Sequence, residues 1–330
     1  MSTPAVLRRI AAVPTPDGAV LHAVVDGPDD APVTVVLAHG WTLAQAAWDD
    51  VAELLLARAA EGELRLIRYD QRGHGRSTWG RYADDVGELS IDQLGADLGD
   101  LLDALAPTGP VVLAGHSMGG MTIMCLAAAR PELLGDRVRG VALVSTAADD
   151  LAPAGNTPAE RLRLKLVPKA VPVAIGGALV LERMRQLLPP SHPRHRKLVR
   201  DLLYGADATD DMVVAGAEIM HATTVRAFAA FYLALGAHDK RGRLPALRQL
   251  PVEILVGEQD KLTPARHSRQ LAEALPDAVL HVVPRTGHML PQERPRLVTD
   301  AIERLLARAT EHAGSRDGAA GRCVSGRSRA

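Results

Sequence analysis

The sequence predicts an α/β fold: a mostly parallel, doubly wound sheet with an inserted helical cap. Three observations carry this. Short, near-continuously apolar runs alternate with helix-length segments. A strand, a tight glycine-flanked turn and a helix follow one another from residue 111. The alternation stops after about residue 147 and resumes at about residue 251. Apolar runs separated by helices imply strands buried on both faces, which is how parallel sheets are covered.

In chain order, AVLRRIAAV and AVLHAVVDG flank the turn PTPDG and predict an N-terminal β-hairpin. VTVVLAHGW (33–41) is an apolar strand, and a helix follows near 49–60, with Asp49 and Asp50 suited to its start. LRLIRYD (64–70) is the next strand and runs into the polar loop QRGHGRSTWG. Residues 91–106 carry Ile91, Leu94, Leu98, Leu101, Leu102 and Leu105 at helical spacing. VVLAGHSMGG (111–120) gives a strand and turn, MTIMCLAAAR a helix ending before Pro131, and VRGVALVSTA another strand.

Between 149 and 240 there is no clear strand, seven prolines fall before residue 194, and helices are expected near 158–166, 177–188, 194–203 and 210–236. Strand PVEILVGEQD (251–260), a helix near 264–275, strand AVLHVVPRTGH (278–288) and a helix from Pro295 to Arg308 complete the pattern. The expected organisation is therefore a core over 1–147 and 241–308, a helical cap over 148–240, and a disordered tail over 309–330.

Composition narrows the function. The chain has 330 residues, is 47% hydrophobic and carries a formal net charge of −1. That supports a sizeable core and argues against a charge-driven nucleic-acid partner. Of the two cysteines, Cys125 falls in an apolar helix and Cys323 in a polar stretch, so a structural disulfide is not expected. The N-terminal stretch has no apolar region of signal-peptide length and no run approaches a membrane span, so a soluble cytoplasmic protein is the expectation. The histidines show no H-x-x-x-H pair, no C-x-x-C is present, and GHGRS lacks the Walker spacing, so neither metal nor nucleotide cofactor is implied.

The chemistry centres on Gly115-His116-Ser117-Met118-Gly119. Two glycines let strand and helix approach closely while the serine projects at the apex. The N–H of Met118 would lie in the first turn of the helix, where donors are unpaired and the dipole favours an anion. A serine needs a base, and the base needs an orienting group. Asp260 follows strand VEILVG and His288 follows strand VLHVV, so the order is Ser…Asp…His. The plainer readings are a turn serine and an aspartate that starts the next helix, with Asp149 and Asp150 as reserve acids. His39, His74 and His116 read as loop supports, and Asp70 and Arg72 as partners of loop backbone.

On these residues the sequence resembles the α/β-hydrolase fold superfamily over about residues 18–308. The resemblance rests on HGW (39–41), YDQRGHGRS (69–77), GHSMGG (115–120), GEQD (257–260) and GH (287–288). It implies a cofactor-free serine esterase or lipase: Ser117 the nucleophile, His288 the base, Asp260 the orienting acid, and the N–H groups of Trp41 and Met118 the oxyanion hole. The expected partner is a small or medium lipophilic ester or related acyl compound. Thioester, lactone or carbon–carbon bond hydrolysis, a perhydrolase activity, and a ligand-binding protein with little turnover are the alternatives. The stretch 161–200 is rich in Arg and Lys beside the apolar AVPVAIGGALVL (170–181), which reads as a basic-faced lid with membrane-surface contact as a secondary possibility. The sequence is silent on oligomeric state.

Overall fold

In the computed structural model, the residues described are 6–149, 182, 183, 185 and 189–320. Eight strands form one sheet: β1 (Arg8–Pro14), β2 (Val20–Asp26), β3 (Thr34–Ala38), β4 (Arg65–Tyr69), β5 (Val111–His116), β6 (Val138–Val144), β7 (Val252–Gly257) and β8 (Val279–Val283). Their spatial order is β1-β2-β4-β3-β5-β6-β7-β8. β2 runs antiparallel to both of its neighbours and every other pairing is parallel. The hairpin read from PTPDG is thus present at one edge.

Alternation of side chains along each strand divides the core into two layers. Val36, Leu113 and Val141 lie in one layer with residues of α2 (Ile91–Leu105) and α3 (Met118–Ala129). Val35, Leu37, Val112, Ala114 and Val144 face the opposite way, toward Val51 and Leu55 of α1 (Asp49–Ala60). β3, β4, β5 and β7 are buried along their whole lengths, which explains why these strands read as largely apolar runs, broken by Arg65 and Arg68 in β4, His116 in β5 and Glu253 in β7. At about 1.5–3 kcal/mol for each fully buried large aliphatic side chain, these layers dominate the favourable side of folding.

Between β6 and β7 the described residues include the α-helices α4 (Pro193–Leu203), α5 (Asp210–Ala222) and α6 (Val225–Gly236), followed by a 3-10 helix over Arg241–Gln249. The single helix expected over 210–236 is instead two, bent by 95° at Thr223-Thr224. Thr224 stands at the N-terminus of α6, and its hydroxyl accepts from the Ala227 N–H, so its side chain starts a new helix rather than continuing the old one. The helix expected over 158–166 lies outside the described residues, as does most of that over 177–188.

After β7 come α7 (Ala265–Ala274), the short α8 (Leu290–Glu293) and α9 (Pro295–Ala320). α9 continues past Arg308, where the sequence suggested the start of a disordered tail. Its apolar stripe, Val298, Ala301, Ile302, Leu305 and Leu306, extends to the buried Ala309 and ties the helix to the sheet beyond the expected end. Residues 321–330 lie outside the described residues.

Candidate active site

Ser117 sits between the last residue of β5 and the first of α3, with φ 54° and ψ −118°. A positive φ on a residue with a Cβ costs about 1–3 kcal/mol and persists only where the surroundings impose it. Here they do. Ser117 N–H donates to Val144 O (2.8 Å), while Ser117 O accepts from Gly120 N–H (2.9 Å) and the Thr146 hydroxyl (2.7 Å). A Cβ on Gly119 would fall 2.1 Å from Ala38 O, so only glycine lets α3 pack this closely on β3.

The aspartate and histidine meet. His288 Nδ1 lies 2.8 Å from Asp260 Oδ2, and the two residues are each 4% exposed. Asp260 is also held by the Leu262 and Thr263 N–H groups (2.9 Å each) and by the Thr263 hydroxyl (2.8 Å). Burial pushes its carboxyl up, but the neighbouring imidazole and the Thr263 donors outweigh this and hold it below the usual carboxylate range. A carboxylate accepts only, so in the neutral form of His288 the hydrogen sits on Nδ1 and Nε2 is left with the lone pair.

His116, the residue before Ser117, is tied to the backbone of His288. His116 Nε2 donates to His288 O (2.8 Å), and the two imidazole centroids are 4.9 Å apart. Among the described residues no hydrogen bond joins Ser117 Oγ to His288. Of the reserve acids, Asp149 pairs with Arg241 rather than His288, and Asp150 lies outside the described residues.

Gly40 lies directly against the serine: a Cβ there would come within 3.1 Å of Ser117 Cβ. Among the described residues neither the Trp41 N–H nor the Met118 N–H donates to another group. The loop that carries Trp41 is braced from below. Gln71 N–H donates to His39 Nε2 (2.9 Å), which leaves the His39 Nδ1 hydrogen for Gly40 O (2.7 Å). The Gln71 amide donates to His39 O (2.5 Å) and accepts from the Thr122 hydroxyl (2.7 Å). Burial pushes His39 down to about 4, so it stays neutral in this network. On the outer side the Trp41 ring stands 4.6 Å from Phe228 and 5.9 Å from Tyr232 of α6, centroid to centroid.

The loop after β4 behaves partly as read. Asp70 accepts from the N–H groups of Gln45 (2.9 Å) and Arg76 (3.0 Å). Arg72 does bond a loop carbonyl, Trp79 O (2.9 Å), but its main partners are two carboxylates, Asp97 (2.6 and 2.8 Å) and Asp17 (2.8 and 2.9 Å). Sequence reasoning passed over Gln71 and Asp97. Asp97 left a signal, since it interrupts the apolar stripe of α2 between Leu94 and Leu98. Among the described residues no group of three His, Cys, Asp or Glu side chains could hold a metal ion.

The family model described as "Alpha/beta hydrolase family" matches residues 35–301. The chain belongs to the alpha/beta hydrolase family. Within the alpha/beta hydrolases it is 30% identical over 268 residues to the pimeloyl-[acyl-carrier protein] methyl ester esterase of Chromobacterium violaceum, covering 79% of this chain and 87% of that one. It is 27% identical over 301 residues to "Probable oxidoreductase EphD" of Mycobacterium tuberculosis, covering 88% of this chain and 48% of that protein. The chain thus spans about half the length of that relative. Among solved structures, the enol-lactonase from Burkholderia xenovorans LB400 superposes with a TM-score of 0.67 at 25% identity, covering 91% of this chain and 100% of that one.

Proposed function

We propose that this alpha/beta hydrolase is a serine hydrolase that cleaves a carboxylic ester of a small to medium lipophilic compound. The observation that carries the reading is the buried Asp260–His288 pair, linked through His116 to a serine held at positive φ. Asp260 fixes the Nδ1–H tautomer, which leaves His288 Nε2 to take the Ser117 proton as Oγ attacks the carbonyl carbon. The N–H groups of Trp41 and Met118 would receive the developing oxyanion, the second with the dipole of α3 behind it. Collapse breaks the ester bond, His288 gives the proton to the departing alkoxide, and an acyl-Ser117 ester remains. A water deprotonated by His288 then releases the acid and restores the serine.

An apolar cluster beside the serine supports this reading of the substrate class. Behind the serine, Met118 and Met121 join an apolar cluster with Phe231, Leu94 and Tyr82, and Trp41 and Trp79 pack against it. We read α4, α5 and α6 as part of a cap that bounds the acyl site. A lactone is an ester closed on itself and would react through the same atoms; the likeness to the enol-lactonase favours it as a second reading.

Hydrolysis of p-nitrophenyl esters from acetate to long chains, with Ser117→Ala alongside, tests the proposal. Turnover that peaks at short to medium chains and falls at least about 10³-fold in the variant supports it. A wild type inert on every ester and lactone would overturn it in favour of a binding role.

A further inference from the structure

Glu293, at the end of α8, is 3% exposed and takes no part in the chemistry above. Its Oε2 accepts from Gly205 N–H (2.8 Å) and from Gly287 N–H (3.1 Å), and its Oε1 also accepts from Gly287 N–H (2.9 Å). Gly287 immediately precedes His288. Gly205 lies two residues beyond the end of α4, so one carboxylate ties together two segments far apart in sequence.

The two segments are in backbone contact. A Cβ on Gly287 would fall 2.5 Å from both Leu203 O and Gly205 N. Leu203 O, at the end of α4, accepts from His288 N–H (2.6 Å) and Met289 N–H (3.2 Å). Beside them the Tyr204 hydroxyl donates to Gln292 Oε1 (2.5 Å). The base therefore does not stand on the sheet alone. Its own N–H is held by α4, and Glu293 closes the junction from the other side.

A neutral residue would serve poorly here. Glutamine has one acceptor oxygen, and its NH₂ would face the Gly287 N–H, donor against donor. Burial pushes the Glu293 carboxyl up; the two N–H donors and the charge of Arg294 pull it down, and Asp260 adds to the rise. Arg294 itself donates to Glu293 O and to Asp207, not to the Glu293 carboxylate. A buried acid whose pKa is raised costs stability above that pKa. The use of this buried carboxyl lies in its two acceptor oxygens, which meet three N–H contacts from Gly205 and Gly287.

We propose that Glu293 is a positioning residue for the base: by clamping Gly287 to Gly205 it sets where the His288 imidazole stands relative to Asp260 and Ser117. The kinetic consequence rests on the serine-hydrolase reading, whereas the geometric one does not. Glu293→Gln removes an acceptor at nearly constant volume, and Glu293→Asp keeps both oxygens but withdraws them by one methylene.

Both variants are compared with the wild type by the proton resonance of His288 Nδ1–H, identified by its loss in His288→Ala, by kcat and KM on a p-nitrophenyl ester, and by thermal midpoint. In Glu293→Gln the resonance should shift or broaden. kcat should fall about 10- to 100-fold, the range expected for a base displaced by a fraction of an ångström to one ångström. KM should stay within about threefold and the midpoint within a few degrees, with Glu293→Asp recovering part of kcat. An unchanged resonance in Glu293→Gln overturns the proposal, as does a kcat loss that merely follows a collapse in midpoint in both variants. If the wild type proves inert but the resonance still moves, the positioning role stands and the ester reading falls. If the wild type is active and Glu293→Gln matches it, the positioning role falls and the ester reading stands.

Discussion

His116 Nε2 donates to the carbonyl oxygen of His288 across 2.8 Å, so the residue before Ser117 holds the backbone of the residue that would take the serine's proton. His116 is fully buried, and burial together with the neighbouring His288 pushes its pKa down to about 3. It is a neutral donor at working pH, and its bond ties the end of β5 to the loop after β8.

Removing that donor should cost both stability and rate. His116→Ala leaves the His288 carbonyl without this partner and opens a cavity under the turn at Ser117; a loss of about 2 kcal/mol is expected in urea unfolding. On a p-nitrophenyl ester kcat/KM should drop about tenfold, while His116→Gln, which can still donate, should recover part of it. A His116→Ala enzyme with wild-type kinetics would detach this contact from the alignment of the base.

Acid should unfold the protein through its buried histidines. Burial holds His39 and His238 down to about 4, and His74 and His116 down to about 3. An unfolded histidine takes up its proton near pH 6.5. Between 6.5 and these lower values the unfolded chain binds more protons, so stability is complete above about pH 6.5 and is lost as pH falls toward 3. Each suppressed histidine contributes a slope of about 1.4 kcal/mol per pH unit across its window. Thermal midpoints measured from pH 7.5 to 4 should fall steadily, and a midpoint flat down to pH 4 would contradict these burial assignments.

The Arg72–Asp97 pair should be costly to break. Arg72 is 0% exposed and Asp97 1%. Asp97→Ala leaves the buried guanidinium with only Asp17 and the Trp79 carbonyl, and loss of one partner of a buried pair costs about 3–5 kcal/mol. Equilibrium denaturation reads this directly. A loss below about 1 kcal/mol would mean that Asp17 and water satisfy Arg72 without Asp97.

Much of this arrangement is legible in the sequence because it is local. Apolar runs bounded by turns mark strands wherever both faces are buried, as in β3 and β5. The residues at the carboxyl ends of those strands carry their own signatures, including Gly115 and Gly119 around Ser117, GEQD before Lys261, and Gly287-His288. What is hidden depends on pairing between distant segments. Glu293 looks like an ordinary helical acid until Gly205 N–H is found beside it, and Gln71 like an ordinary loop amide until it is seen beneath His39. The break at Thr223-Thr224 was recoverable: a threonine followed by a helical run is a starting signal that the apolar character of 210–236 masked. The continuation of α9 to Ala320 was masked in the opposite way, by a glycine- and arginine-rich composition that outweighed the buried Ala309.

The central claim is that Ser117 is a nucleophile activated by His288 and Asp260. The most direct measurement is intact-protein mass spectrometry after exposure to a fluorophosphonate, which phosphonylates activated serines and displaces fluoride. The account predicts one adduct, mapped to Ser117, absent in Ser117→Ala and formed at least about 10²-fold more slowly in His288→Ala. A wild type that takes up no label, or an adduct that survives Ser117→Ala, would contradict it.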